Sequence, residues 1–113
     1  MMTIIMVIMA KQPFKLTVMP QFGERLDAIE SKYHPLIREK IADLLRYEPD
    51  TKTRNRKPLR SPIIGASWEI RFGPDNRFRV FYDVNVENNE VIQLGIGVKE
   101  RNHLLIGGEE YEQ

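Results

Sequence analysis

Ser67-Trp68-Glu69-Ile70-Arg71-Phe72-Gly73-Pro74-Asp75-Asn76-Arg77-Phe78-Arg79-Val80-Phe81-Tyr82-Asp83-Val84 is the stretch on which the fold turns. Trp68, Ile70 and Phe72 alternate with Glu69 and Arg71, the period of a strand with one apolar face. Gly73 to Asn76 has the composition of a turn. Alternation then resumes, with Phe78, Val80, Tyr82 and Val84 on the core side and Arg77, Arg79, Phe81 and Asp83 opposite. The stretch therefore predicts a β-hairpin with one apolar and one cationic face.

Downstream, Glu87-Asn88-Asn89 is a second turn. Residues 90–98 predict a third strand with Ile92, Leu94, Ile96 and Val98 inward. Gly95 and Gly97 leave backbone open to close approach by a ligand or chain. Upstream, the period changes. Phe22, Leu26, Ile29 and Tyr33 form one stripe of a helix of about three turns, and Ile37, Ile41, Leu44 and Leu45 form a second beyond His34-Pro35. Phe14 to Val18 alternates as a first strand. The order β-α-α-β-β-β predicts an α+β fold, a helical hairpin packed on one face of a mainly antiparallel sheet. Between Pro49 and Ala66 no period survives, so residues 49–66 are expected as a basic loop.

A chain of 113 residues makes one domain, 1–113. Residues 1–13 begin with MMTIIMVIMA, too short to span a bilayer, and are expected as an apolar extension or a lead-in to the first strand. No membrane anchor is expected. The absence of cysteine excludes disulfides and thiolate chemistry and suits a reducing, cytoplasmic compartment. There is no Walker loop, HExxH or GxSxG, and two histidines, His34 and His103, cannot complete a histidine-rich metal site, so neither metal nor cofactor is expected. Glu109, Glu110 and Glu112 lie in a terminus expected to be too loose for paired-carboxylate catalysis.

The net charge of +1 conceals a segregation: residues 32–79 carry twelve bases and six acids, and residues 80–113 two bases and seven acids. Lys52, Arg54, Arg56, Lys57 and Arg60 form an acid-free run. Arg71, Arg77 and Arg79 add guanidinium groups on the non-core face of the hairpin. Such a cluster suits phosphate recognition, with Phe81 placed to stack a base or to pack beneath the loop. The bland alternative is a solvated face on which Arg71 and Arg79 are locked in pairs with Glu69 and Asp83.

TRNRKPL (53–59), WEIRFG (68–73), NRFRVFYDV (76–84), IGVK (96–99) and NHLLIGGEEYE (102–112), in that order, resemble the RelE/ParE superfamily of type II toxin-antitoxin toxins. The resemblance is to a RelE-like subgroup ending in a GGEE-type tail, and runs from Phe14 to Tyr111. It implies a toxin neutralised by a cognate antitoxin from an adjacent gene. RelE-like members cleave mRNA at the ribosome without a metal, giving 2′,3′-cyclic phosphate and 5′-hydroxyl ends; ParE-like members poison DNA gyrase; a non-catalytic protein whose role is complex formation is the third option.

Carried over residue by residue, the resemblance implies catalytic roles for Arg71 and Arg79, then Lys99, which Val98 separates from Gly97, with Arg101 close behind. His103 and Tyr111 are the groups near the position of the family's proton-transferring tyrosine. Glu69 stands where the nucleases carry a second lysine. Lys52, Arg54, Arg56, Lys57, Arg60, Arg77 and Phe81 would contact the nucleic acid.

Overall fold

The computed structural model describes residues 12 to 112, so the apolar start over residues 1–11 lies outside the described residues. The order opens as expected, with β1 (Lys15–Val18), α1 (Pro20–Asp27), a single 3-10 turn at Ser31–Tyr33 and α2 (His34–Leu45). Six strands follow: β2 (Arg56–Ile63), β3 (Ala66–Phe72), β4 (Phe78–Asn85), β5 (Glu90–Glu100), β6 (His103–Ile106) and β7 (Glu109–Glu110). They lie side by side in chain order, each antiparallel to the last. β1 is the exception. It runs parallel to residues 90–93 of β5, and β6 takes residues 97–100 of the same strand. In the gap between them Arg25 Nη1 donates to Leu94 O at 2.9 Å.

The two helices cover one face. Ile37, Ile41 and Leu45 of α2, with Phe22 and Ile29, pack on Ile70, Phe72, Phe78, Val80 and Tyr82, as the hairpin alternation requires. Tyr82 is fully buried, stacks on the half-buried Trp68 at 6.3 Å and donates its hydroxyl to Pro49 O at 2.7 Å. Burial raises its pKa well above the ordinary value of 10.0.

Four expectations change. The first helix ends at Asp27 rather than near Tyr33; His34 Nε2 lies 3.1 Å from Leu26 O and 2.8 Å from Ile29 O, satisfying carbonyls at the break. Pro35 sits harmlessly in the first turn of α2. The expected loop 49–66 contains β2, an edge strand whose Pro58 and Pro62 remove donors that an inner strand needs. In β5 the pairing shifts, Phe81 facing Gly95 and Tyr82 facing Gln93, so Leu94 is an extra residue. This bulge puts Val91 on the helix face and turns Leu94 to the opposite side, against the simple alternation. Lastly, the space beside the β5 glycines is filled by this chain. A Cβ on Gly95 would come 2.4 Å from Ile64 Cδ1, and one on Gly97 2.8 Å from Leu105 O.

Candidate functional site

The face away from the helices is half core and half cleft. Ile63, Ala66 and Phe81 are buried there, and Leu59, Ile64, Leu94, Leu104, Ile106 and Tyr111 pack around them. Phe81 is fully buried, so it packs beneath the β2 hairpin and offers no ring to a base.

Beside this cluster lies a cleft of about 380 Å³. Strand pairing builds it: Lys57 of β2 faces Glu69 of β3, Arg71 of β3 faces Arg79 of β4, and Arg79 faces Gly97 two residues before Lys99. Two arginines directly opposite each other repel unless a carboxylate intervenes. Glu69 supplies it. Its Oε1 accepts from Arg79 Nη1 at 3.1 Å, and its Oε2 lies 3.4 Å from Arg71 Nε and 3.7 Å from Lys57 Nζ. Arg79 Nε also donates to Asn76 O at 2.9 Å. Glu69 and Arg79 are buried, Arg71 and Lys57 partly exposed.

One carboxylate thus fixes three cations. Both terminal nitrogens of Arg71 and Nη2 of Arg79 keep donors unspent among the described residues. Lys99, Asn102, Glu110 and Tyr111 are also among the lining residues. Four cations, Lys57, Arg71, Arg79 and Lys99, share the cleft with the one Glu69 carboxylate, so the cleft keeps an excess of positive charge, suited to a phosphodiester. Asp83 takes no part; it accepts from Ser67 N at 2.7 Å.

Of the residues expected to be catalytic, Arg71, Arg79, Lys99 and Tyr111 converge here. Arg101 instead lines, with Arg77, a neighbouring cavity of about 530 Å³ that shares Arg79 and Lys99 with the cleft. His103 stands outside the cleft, its Nδ1 bonded to Glu110 Oε1. Of the expected nucleic-acid contacts, Lys57 lines the cleft, and Lys52 and Arg60 line an adjoining cavity of about 630 Å³ that shares Lys57 and Tyr111. Arg54 is exposed and lines none of the three.

One cation is in the wrong place for a nucleic-acid contact. Arg56 is buried, donating to Thr51 O at 2.7 Å and to Leu44 O at the end of α2, with Glu48 4.0 Å away, so it caps a helix instead of meeting RNA. Arg77 lies over the Tyr33 and Phe78 rings at 5.6 and 5.5 Å and pairs with Glu100 at 3.5 Å, and it lines the neighbouring cavity beside Arg79 and Lys99 instead of the cleft itself.

Sequence reasoning named Glu69 as a partner of the two arginines but not as the carboxylate that also holds Lys57, and it missed Glu110 as a lining residue. The signal for the second was present: Gly107-Gly108 between short apolar and polar runs is a two-residue hairpin turn, and both glycines have positive φ. The tail is therefore a paired strand, not a loose terminus.

Among the described residues no three carboxylates or imidazoles converge as metal ligands, and no helix is long and apolar enough to cross a membrane. No family model matches the sequence, and no curated protein matches it either. Among solved structures, a chain of the RelBE2 toxin-antitoxin complex of Mycobacterium tuberculosis superposes with a TM-score of 0.61 at 21% identity, covering 78% of this chain and 93% of that one. Two helices on one face of a mainly antiparallel sheet, matched over most of the chain, give this protein the same α+β fold as that chain, the fold that its sequence resemblance led one to expect.

Proposed function

We propose that this chain is the toxin of a type II toxin-antitoxin system and that its cationic cleft cleaves mRNA at the ribosome. The observation that carries the reading is the convergence of Arg71, Arg79, Lys99 and Tyr111, residues spread over forty positions of sequence, in one cleft. That the structural neighbour is a toxin-antitoxin complex supports an antitoxin as partner. An acidic antitoxin segment crossing the cleft would both be steered by the cations and block RNA.

The reaction is attack of a ribose 2′-oxygen on the adjacent phosphorus with rupture of the bond to the 5′-oxygen, leaving a 2′,3′-cyclic phosphate and a 5′-hydroxyl. Arg71 and Arg79 stabilise the charge that builds on the phosphorane, and because Glu69 holds them in place beforehand, little reorganisation accompanies the step. Lys99 orients the phosphate. The Tyr111 oxygen accepts from Ile64 N at 3.4 Å, which leaves the phenolic proton free for the departing 5′-oxygen. Lys52, Lys57 and Arg60 hold the strand by its phosphates.

Pairing of Arg71 and Arg79 with Glu69 also favours a second reading, a toxin-like protein that only forms complexes. Programmed-ribosome cleavage by wild type, Arg79→Ala and Arg79→Lys, each checked by circular dichroism, separates the two. The nuclease reading expects a fall of ~10²-fold or more with alanine and partial rescue with lysine, which keeps charge but loses the planar fork. Absence of cleavage by wild type selects the second reading; arrested DNA supercoiling in its place moves the target to gyrase.

A further inference from the structure

Beside the cleft, the cavity of about 630 Å³ lies between the edge strand β2 and the tail. Resting on the nuclease reading above, we infer that this cavity seats the nucleobase on the 3′ side of the cut, against the ring of Tyr111.

Both walls of the cavity stand on the cleft face of the sheet. Lys57 is paired with Glu69, and so shares the face of Arg71 and Arg79. Across from it, Lys99 is paired with Leu104, and Tyr111 N donates to Leu104 O at 2.8 Å, which brings Tyr111 to that same face. Leu59 and Tyr111 both pack on the cluster of Ile63 and Phe81. The Tyr111 hydroxyl accepts from Ile64 N at 3.4 Å, so the ring is held at both ends. Lys57, Leu59, Ile63 and Tyr111 line cavity and cleft alike, and a strand that enters one continues into the other.

The lining fits a base with its phosphate. Leu59, Ile63 and the two prolines of β2 give an apolar wall, while Lys52, Lys57 and Arg60 outnumber the single acid, Glu112. Phe81 and Tyr111 are the aromatic residues of this cluster; Phe81 is fully buried and Tyr111 half-buried, so Tyr111 is the one that offers a ring for stacking. A peptide strand is the competing occupant of a sheet edge. Pro58 and Pro62 remove donors that an added strand would need, which leaves the side chains of β2 as its binding surface.

The reaction sets the side. The departing 5′-oxygen belongs to the nucleotide 3′ of the cut, and Tyr111 gives that oxygen its proton. Base and 5′-oxygen hang on one sugar, so a ring stacked on the base carries its hydroxyl toward the oxygen. The Arg79 and Lys99 end of the cleft opens instead into the cavity of about 530 Å³, which Tyr111 does not line, and takes the 5′ portion of the strand. Tyr111 thus binds through its ring and reacts through its hydroxyl.

The test measures single-turnover cleavage of a reporter mRNA on programmed ribosomes, and Kd on the same mRNA carrying a 2′-O-methyl group at the cut. Each mRNA is made intact, with an abasic residue 3′ of the cut, and with one 5′ of it. Wild-type Kd should weaken ~5- to 100-fold with the 3′ abasic residue and less with the 5′ one. Tyr111→Leu should weaken Kd by a similar factor on intact mRNA and add nothing on 3′-abasic mRNA. Tyr111→Phe should hold Kd within about twofold yet lose ~10²-fold or more in rate, because the ring stays and the proton donor goes.

A wild-type Kd blind to the 3′ base, or more sensitive to the 5′ base, overturns the assignment, and cleavage by wild type keeps the nuclease reading standing. A Tyr111→Leu loss of equal size on intact and 3′-abasic mRNA, in a variant that circular dichroism shows to be folded, overturns it too. No cleavage by wild type overturns both.

Discussion

The two faces of the sheet solve the same burial problem with different materials. On the helix face, aliphatic and aromatic side chains from α1, α2 and the hairpin fill the space, and the buried Tyr82 hydroxyl is satisfied by Pro49 O. On the other face a smaller apolar cluster around Phe81 borders a carboxylate that holds three cations. Apolar packing is indifferent to which hydrophobe fills a place so long as volume is kept, whereas a buried ion cluster fails when one charge is lost. The first face confers stability; the second holds charged groups at set positions, as a phosphate-binding site requires.

The sharpest way to break this contrast is to remove Glu69. Glu69→Ala strands the buried Arg79 and should cost ~3 to 5 kcal/mol by chemical denaturation, whereas Arg79→Ala leaves Glu69 with Lys57 and Arg71 and should cost clearly less. Equal losses would mean the cluster is a simple pair. Of similar size is the comparison of Phe78→Ala on the helix face with Phe81→Ala on the cleft face, both fully buried. Each should cost ~3 to 5 kcal/mol, and a Phe81 value below ~1 kcal/mol would show that the second cluster is only a cover over the sheet.

Arg56→Ala comes next, with an expected ~1.5 to 3 kcal/mol for bonds to Thr51 and Leu44 carbonyls and no change in RNA affinity. Lys52→Ala should do the reverse, sparing stability and lowering the salt slope of RNA binding by roughly one. The smallest effect is Tyr82→Phe, about 1 kcal/mol. Because the folded pKa of Tyr82 is raised, the stability it confers is fully present below the ordinary 10.0 and is lost as pH rises beyond it. An alkaline denaturation series should therefore decline less steeply above pH 10 in the phenylalanine variant than in wild type.

Much of the fold was legible because burial on a sheet face writes itself as alternation. Trp68 to Phe72 and Phe78 to Val84 lie as their spacing requires, and Ile37, Ile41 and Leu45 face the core. β2 was not legible, since an edge strand with two prolines and one buried face over part of its length keeps no clean period. Leu94 was misplaced because a bulge inserts one residue without any mark in composition. The site was half legible: Arg71 and Arg79, from the hairpin alternation, and Lys99 and Tyr111, from the resemblance, converge, while Arg56 and Phe81 carry the right chemistry in the wrong surroundings.

The sequence by itself determined the central hairpin and the second helix and which face of each is apolar, because those follow from local period and from side-chain chemistry. Only the tertiary structure decided which cations are free to meet a ligand. Charge is a property of the residue, but availability depends on what lies within a few ångströms. Arg56 meets Leu44 and Thr51, Arg77 meets two rings and Glu100, and Arg71 and Arg79 meet a single shared carboxylate that holds them in place while leaving donors unspent.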